Sequence, residues 1–336
     1  MAYFDQGEDG VFHSTVHHDL RGCQLQDYLE RLWPDVQRRF LRRAIADGEV
    51  LVNREPMPAH RRLRPGDLVE VKVDGDTMPV RDAAVAESVT LRVLHEDDQI
   101  LVVDKPSGVH TVPDRGGKYL GVHGELQRLR PDDDLRIVHR LDLGTSGCLV
   151  LAKGLEAARA LSAAFEAGEV HKEYLALVDG VASRERFEVT RPLGPDRRRP
   201  GRVRVVKEGS KGSRSAHTIV EVAEQFRRHA LLRARPLTGR SHQIRVHLSA
   251  SGFPIVGDPD YGAAQELLLS SIKPGFKLRR GVEERPLLTR MFLHAEVIEV
   301  PVGDERVRVT AALPPELDVV LQKLGKFSRR GGDACD

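Results

Sequence analysis

Arg136-Ile137-Val138-His139-Arg140-Leu141-Asp142-Leu143-Gly144-Thr145-Ser146-Gly147 runs straight into the apolar, strand-like segment Cys148-Leu149-Val150-Leu151-Ala152. One carboxylate, Asp142, stands between an arginine-rich approach and a tight Gly/Thr/Ser turn. A carboxylate held on a turn beside a buried strand is poorly hydrated and firmly aimed. That suits a nucleophile or a base better than a solvated surface charge. Taken alone, an Asp ahead of Gly-Thr-Ser-Gly is more often a turn-capping residue than a catalyst.

Around this stretch, short β-rich runs alternate with helical ones. Leu91–Leu94, Ile100–Asp104, Tyr174–Val178, His217–Val222, His229–Ala234 and Phe292–Val300 read as strands, and Ala157–Glu166 as a helix. The pattern predicts an α+β domain on a mixed sheet over residues 89–323, without internal repeats. Residues 324–336 read as a flexible tail.

Residues 11–73 read as a separate, small helix-helix-strand module. Leu25, Tyr28, Leu29 and Leu32 recur at helical spacing as far as Pro34. A second helix begins near Val36, with Phe40, Leu41, Ala44 and Ile45 inward and Arg38, Arg39, Arg42 and Arg43 outward. Gly48 stops it, Val50–Val52 is a strand, and Pro65-Gly66-Asp67 turns into a strand over 68–73. The four arginines have no acidic partner among them, so an outside anion has to relieve their repulsion. Residues 74–88, rich in Gly, Pro, Asp and small side chains, read as a linker.

The 336-residue chain is 40% hydrophobic, enough for two cores, and its net charge of +2 conceals an uneven distribution. From Phe226 to Gly257 there are six arginines and no acid. Between Arg197 and Arg214, eight basic residues accompany one acid, Glu208. Such blocks suit a phosphate backbone, or form a solvated face. Cys23, Cys148 and Cys335 are too few and too scattered for a disulfide framework or zinc site, which suggests a reducing compartment. The N-terminus is polar and acidic and no apolar run is long enough to span a membrane, so a cytoplasmic protein without membrane association is expected. His139, His242 and His247 lack metal-ligand spacing, so no metal is expected. Ser146 lacks a nucleophile elbow, and there is no phosphate-binding glycine loop.

The Arg136–Gly147 stretch resembles the HRLD-x-x-[ST]-SG signature of the RluA family of pseudouridine synthases. Five further segments resemble that family in the same order: Asp104-Lys105-Pro106-Ser107-Gly108; His171-Lys172-Glu173-Tyr174-Leu175-Ala176-Leu177-Val178; Leu237–His247, containing Thr238-Gly239-Arg240-Ser241-His242-Gln243-Ile244-Arg245; Gly257-Asp258 with Tyr261-Gly262; and Phe292-Leu293-His294-Ala295. The N-terminal module, with Gly48, Val50, Val52 and Asn53, resembles the S-four-like RNA-binding domain.

The resemblance implies an RNA pseudouridine synthase that breaks the uracil–ribose bond, rotates the base and rejoins it through a ring carbon. The uridine must first leave its stack. Asp142 becomes the essential residue, attacking the ribose anomeric carbon or the uracil ring, or removing a ribose proton. Arg245 becomes its charge partner and Tyr174 the aromatic that stacks on the base, its hydroxyl helping the final deprotonation. Arg140 becomes a wedge or phosphate clamp. Lys172, Arg240, His242 and Gln243, together with Arg38, Arg39, Arg42 and Arg43, are the expected RNA contacts. A redox-neutral isomerisation needs no cofactor, and a monomer suffices. Members carrying the extra domain suggest large-subunit ribosomal RNA as substrate; transfer RNA, or a non-catalytic RNA-binding or ribosome-assembly role, are the alternatives. The chain departs from the family at Leu143-Gly144, where a charged pair is common, and in the Gly108–Arg136 loop.

Overall fold

A computed structural model describes residues 4–6, 11–16, 22–33, 36, 38–72, 89–113, 120–199, 201–262, 264, 266–278 and 282–328. The chain divides into two compact units, Met1–Val89 with Pro113–Leu120 and Thr90–Val112 with Gly121–Asp336. The linker expected at 74–88 lies outside the described residues, as do 329–336 at the C-terminus.

In the first unit the elements are β1 (Phe4–Gln6), β2 (Phe12–Thr15), α1 (Leu25–Leu32), α2 (Arg38–Ala46), β3 (Val50–Val52), β4 (Glu55–Pro56) and β5 (Leu68–Val71). The strands make one sheet in the order β1-β2-β5-β3-β4. The inward stripe of α1 and the Leu41/Ala44/Ile45 face of α2 pack with Val50, Val52, Val69 and Val71. The β1–β2 pairing starts this unit before residue 11, where the sequence pattern placed its edge.

The second unit holds β6 (Arg92–Glu96), β7 (Ile100–Lys105), α3 (Gly121–Leu129), β8 (Leu135–Ile137), β9 (Ser146–Lys153), α4 (Gly154–Ala167), β10 (His171–Asp179), β11 (Arg186–Val189), β12 (Leu193–Pro195), β13 (Val203–Val205), β14 (Thr218–Gln225), β15 (His229–Pro236), α5 (Gln243–Ala250), α6 (Leu269–Ile272), β16 (Leu293–Val302), β17 (Glu305–Thr310) and α7 (Pro315–Phe327). Its main sheet runs β11-β14-β15-β10-β16-β9-β7-β6, with β17 on β16 and β8 on β9. The sheet is mixed, since β16 and β9 pair in parallel and the other described pairs in this sheet are antiparallel. The expected α+β class therefore holds.

The central strands are covered on both sides, which is why β7 and β9 read as continuous apolar runs. Ile100, Val102, Cys148 and Val150 face Leu161 and Ala164 of α4. Leu101, Val103, Leu149 and Leu151 face Val122 and Leu126 of α3. Two expectations change here. The segment after Gly108 is not only loop, because Val122 and Leu126 give α3 an inner face. The tail does not begin at 324: α7 continues through Phe327, and Leu324 is fully buried with Leu317 and Val320.

Candidate active site

The backbone around Asp142 is held from behind. The buried Thr111 hydroxyl donates to the Leu141 carbonyl (2.9 Å) and accepts from the Leu141 N–H (3.1 Å). Thr145 N–H closes the turn on the Asp142 carbonyl at 3.0 Å. The Leu143 carbonyl accepts from Gly108 N–H (2.8 Å) and Lys105 Nζ (3.3 Å), and the Gly144 carbonyl from the Ser107 hydroxyl (2.9 Å). Lys105 is fully buried, with its ammonium also on the Pro106 and Val109 carbonyls at 2.9 and 2.6 Å. Burial, reinforced by nearby Arg290, pulls its pKa down to about 7.

His139 anchors the approach to the turn. Its Nε2 accepts the Val150 N–H at 3.0 Å while the ring stacks on Phe165 with centroids 4.8 Å apart. Burial, then the Lys172 charge, takes its pKa to about 3, which keeps the ring a neutral acceptor. Gly147 lies where β9 meets β16 in parallel at Ser146–His294 and Gly147–Ala295. At φ 110° a Cβ there would run into the Ala295 backbone.

Asp142 opens onto a cavity of about 840 Å³ lined also by Tyr174, Arg245, Arg140, Lys172 and His242. Arg245, near the start of α5, reaches Asp142 Oδ2 through Nη1 at 3.2 Å. Its main partner is elsewhere: Nε and Nη2 each meet Asp258 at 2.8 Å, and Nη2 meets Asp260 at 2.9 Å. Burial works against the guanidinium charge, but Asp258, then Asp142 and Asp260, outweigh it and hold the pKa above its ordinary value. Burial opposes the Asp258 charge as well; the Arg245 hydrogen bonds and the Asp260 and Tyr261 amides override it and depress the pKa. The adjoining Gly257 has φ 75°, and a Cβ there would meet the Arg290 carbonyl.

Tyr174 sits where the β10–β16 register slips between Glu173 and Tyr174. A bulge of this kind re-aims side chains: the Tyr174 ring lines the cavity, while buried Glu173 meets His171, Arg233 and Arg235. Burial, and then the Asp142 charge, hold the Tyr174 phenol proton well above the usual range. The phenol can donate a hydrogen bond, and it is not a base in the resting site. Lys172 lies 5.5 Å over the Phe165 ring, and burial lowers its pKa. Arg140 is exposed at the cavity and enters no ion pair among the described residues.

The other expected contacts divide. His242 adopts φ 53° and lines the cavity. Its Nδ1 meets the Tyr261 hydroxyl at 2.9 Å, and that hydroxyl already accepts the Val203 N–H. Burial lowers the His242 pKa. Arg240 donates through Nε to the Ser215 carbonyl (2.9 Å). Gln243 is buried and saturated: Oε1 accepts from Thr238 and Arg240, and Nε2 donates to His217 and Thr218. It has no hydrogen-bonding capacity left for RNA and instead shapes the loop. His247 is likewise committed, to Thr218 and the Arg191 carbonyl.

In α2, Arg43 pairs with Asp47 at 3.2 Å and Arg42 donates to Gln26 at 3.1 Å, so the helix is less uncompensated than its arginines suggest. The side chains of Arg38 and Arg39 lie outside the described residues. Half of the arginines in the Phe226–Gly257 block are compensated too: Arg233 and Arg235 pair with Glu173, Glu296 and Glu221, and Arg245 with its three aspartates.

Asp258, Asp260 and Thr111 went unassigned in the sequence, although Gly257-Asp258-x-x-Tyr261-Gly262 was visible there. The signal was electrostatic, since a buried Arg245 requires more negative charge than one partly exposed aspartate supplies.

Residues 99–250 match a family model described as RNA pseudouridylate synthase. The chain is 34% identical over 328 residues to the ribosomal large subunit pseudouridine synthase D of Xanthomonas campestris pv. campestris, covering 95% of this chain and 94% of that one. It is 31% identical over 318 residues to the ribosomal large subunit pseudouridine synthase C of Vibrio vulnificus, covering 92% and 95%. Among solved structures it is similar to human RNA pseudouridylate synthase domain containing 1, with a TM-score of 0.53 at 27% identity over 73% of this chain and 98% of the other.

Proposed function

Because this chain belongs to the RNA pseudouridylate synthase family, we propose that it isomerises specific uridines of large-subunit ribosomal RNA, using Asp142 as the essential residue. The supporting observation is the Asp142 carboxylate at the cavity, backed through a rigid turn and 3.2 Å from a buried Arg245. The relatives named for the ribosomal large subunit support the choice of RNA. The reading carries with it a monomeric enzyme acting in the cytoplasm on ribosomal RNA.

The reaction exchanges a C–N glycosidic bond for a C–C bond and moves one proton from the ring carbon to the freed nitrogen. Nothing is oxidised or reduced, so no cofactor is required. Asp142 supplies the negative charge the exchange needs, whether as nucleophile or as base, and Arg245 keeps that charge in place. Tyr174 offers a face on which the flipped base stacks, a contact worth ~1–3 kcal/mol, and a hydroxyl that donates a hydrogen bond. Arg140 and Lys172 are suited to the phosphates beside the extruded nucleotide, with Arg240 and His242 along the same wall. The arginines of α2 extend the RNA contact in the first unit.

The test is a transcriptome-wide pseudouridine map in a host lacking this gene, repeated with the wild-type chain and with Asp142→Asn. Sites that return with wild type alone are the expected result. Equal restoration by Asn, or no dependent site, would leave a binding factor in place of an enzyme.

A further inference from the structure

The basic block at 197–214 has no role in the site so far. It surrounds the β12–β13 hairpin, a two-stranded sheet separate from the main one. Seven of its eight basic residues are exposed and enter no ion pair among the described residues, and Glu208 is the one acid between them. So many unpaired cations repel one another, and an outside polyanion relieves that repulsion.

The eighth, Arg202, points the other way. Its Nη2 lies 2.7 Å from Asp260 Oδ1, and its Nη1 donates to the Asp260 carbonyl at 3.3 Å. The next N–H, of Val203, donates to the Tyr261 hydroxyl at 2.9 Å. Two consecutive hairpin residues thus grip two consecutive residues of the 258–262 turn, and both of those touch the guanidinium beside Asp142. Asp260 Oδ2 takes Arg245 Nη2 at 2.9 Å, and Arg245 lies 5.0 Å over the Tyr261 ring.

We propose that the hairpin is an arm that docks on RNA phosphates, and that the Arg202–Asp260 pair is the joint through which the arm fixes Arg245. The inference rests on the catalytic reading of Asp142 and Arg245. Arg202 is a positioning residue: with one Asp260 oxygen anchored, the other is held square to Arg245, which holds Asp142. The hairpin and the guanidinium beside Asp142 thereby share one carboxylate, held between two arginines.

Two variant sets separate arm from joint. Turnover is read as ring-carbon tritium release from labelled, protein-free large-subunit ribosomal RNA taken from a host lacking the gene. Binding is read with a fluorescein-labelled RNA stem-loop over a salt series. The triple variant Arg197→Ser, Arg198→Ser, Arg199→Ser should raise KM, hold kcat, and flatten the salt slope by roughly 0.7–0.9 for each phosphate that is no longer neutralised. Arg202→Met should lower kcat on the order of tenfold with little change in KM, about what one charge-assisted hydrogen bond is worth at a transition state. Arg202→Lys should recover part of that loss, because an ammonium still reaches Oδ1. Should the Met variant fail to fold in a thermal melt, a kcat for the Lys variant below wild type is the expected result. Wild-type KM and salt slope in the triple variant overturn the arm. Wild-type kcat in Arg202→Met, or no kcat loss in Arg202→Lys where Met does not fold, overturns the joint. A wild-type chain that releases no tritium sinks the functional reading instead, and the stem-loop series still decides the arm.

Discussion

Arg245 gives Asp258 two of its nitrogens, each at 2.8 Å, and gives Asp142 one, at 3.2 Å. The Asp258 side chain is fully buried, whereas that of Asp142 is 28% exposed. The stability of this cluster therefore rests on Asp258, whereas the chemistry we propose rests on Asp142. Arg245→Met strands Asp258 without its countercharge and should cost about 3–5 kcal/mol. Adding Asp258→Asn should return part of that loss. Asp142→Asn should cost less than about 1 kcal/mol while abolishing pseudouridine formation. Denaturant titration of the three variants checks the ordering; equal destabilisation by the Asp142 and Arg245 substitutions would contradict it.

Tyr174→Phe keeps the stacking face and removes the hydroxyl. Among the described residues no side chain bonds to that hydroxyl in the resting site, so the melting temperature should stay close to wild type. The phenol is held protonated by burial and by Asp142, and as a donor it should contribute to turnover rather than to binding. The expected result is a lowered kcat at unchanged KM in a steady-state assay. Full activity would reduce Tyr174 to a stacking surface.

His294 gives the fold an acid-sensitive point. Ser146 accepts from Arg290 at 2.8 Å and so gives its proton to His294 Nδ1 at 3.0 Å, leaving Nε2–H for the Ala311 carbonyl. Burial takes the His294 pKa from 6.5 to about 4. Between those values the unfolded chain binds a proton that the folded one refuses, so stability is lost as pH falls through that window. The loss approaches about 3 kcal/mol from this group alone. His294→Gln should flatten the fall in melting temperature between pH 6.5 and 4. An unchanged slope would place the acid sensitivity elsewhere.

Reversing the charges at Arg38, Arg39, Arg42 and Arg43 should weaken RNA binding and flatten its salt dependence. The exposed Arg43–Asp47 pair is worth under about 1 kcal/mol, so the fold should survive. An unaltered isotherm across a salt series would remove α2 from the RNA contact.

Local features were the most legible. Leu25/Tyr28/Leu29/Leu32 predicted α1, and Val50–Val52 is a strand as read. Asp142, Tyr174 and Arg245 meet at one cavity although Asp142 and Arg245 are 103 positions apart. Only the resemblance to a family brought them together, because no periodicity connects residues so far apart. What stayed hidden depends on cross-strand neighbours. Arg233 and Arg235 read as free cations until β10 and β16 place Glu173 and Glu296 beside them. Thr111 read as loop, although its hydroxyl holds both polar groups of the Leu141 backbone. Gln243 read as an RNA contact because the type of a polar side chain does not reveal that its bonds are already spent indoors.

Leu143 is held by its carbonyl, on Gly108 and Lys105, while its side chain stands 46% exposed next to Asp142. The main chain carries the architecture at this position and the side chain carries none of it. A side chain at such a position can change without disturbing the main-chain bonds beneath it. The turn thus leaves one wall of the cavity beside Asp142 open to substitution at almost no cost to folding.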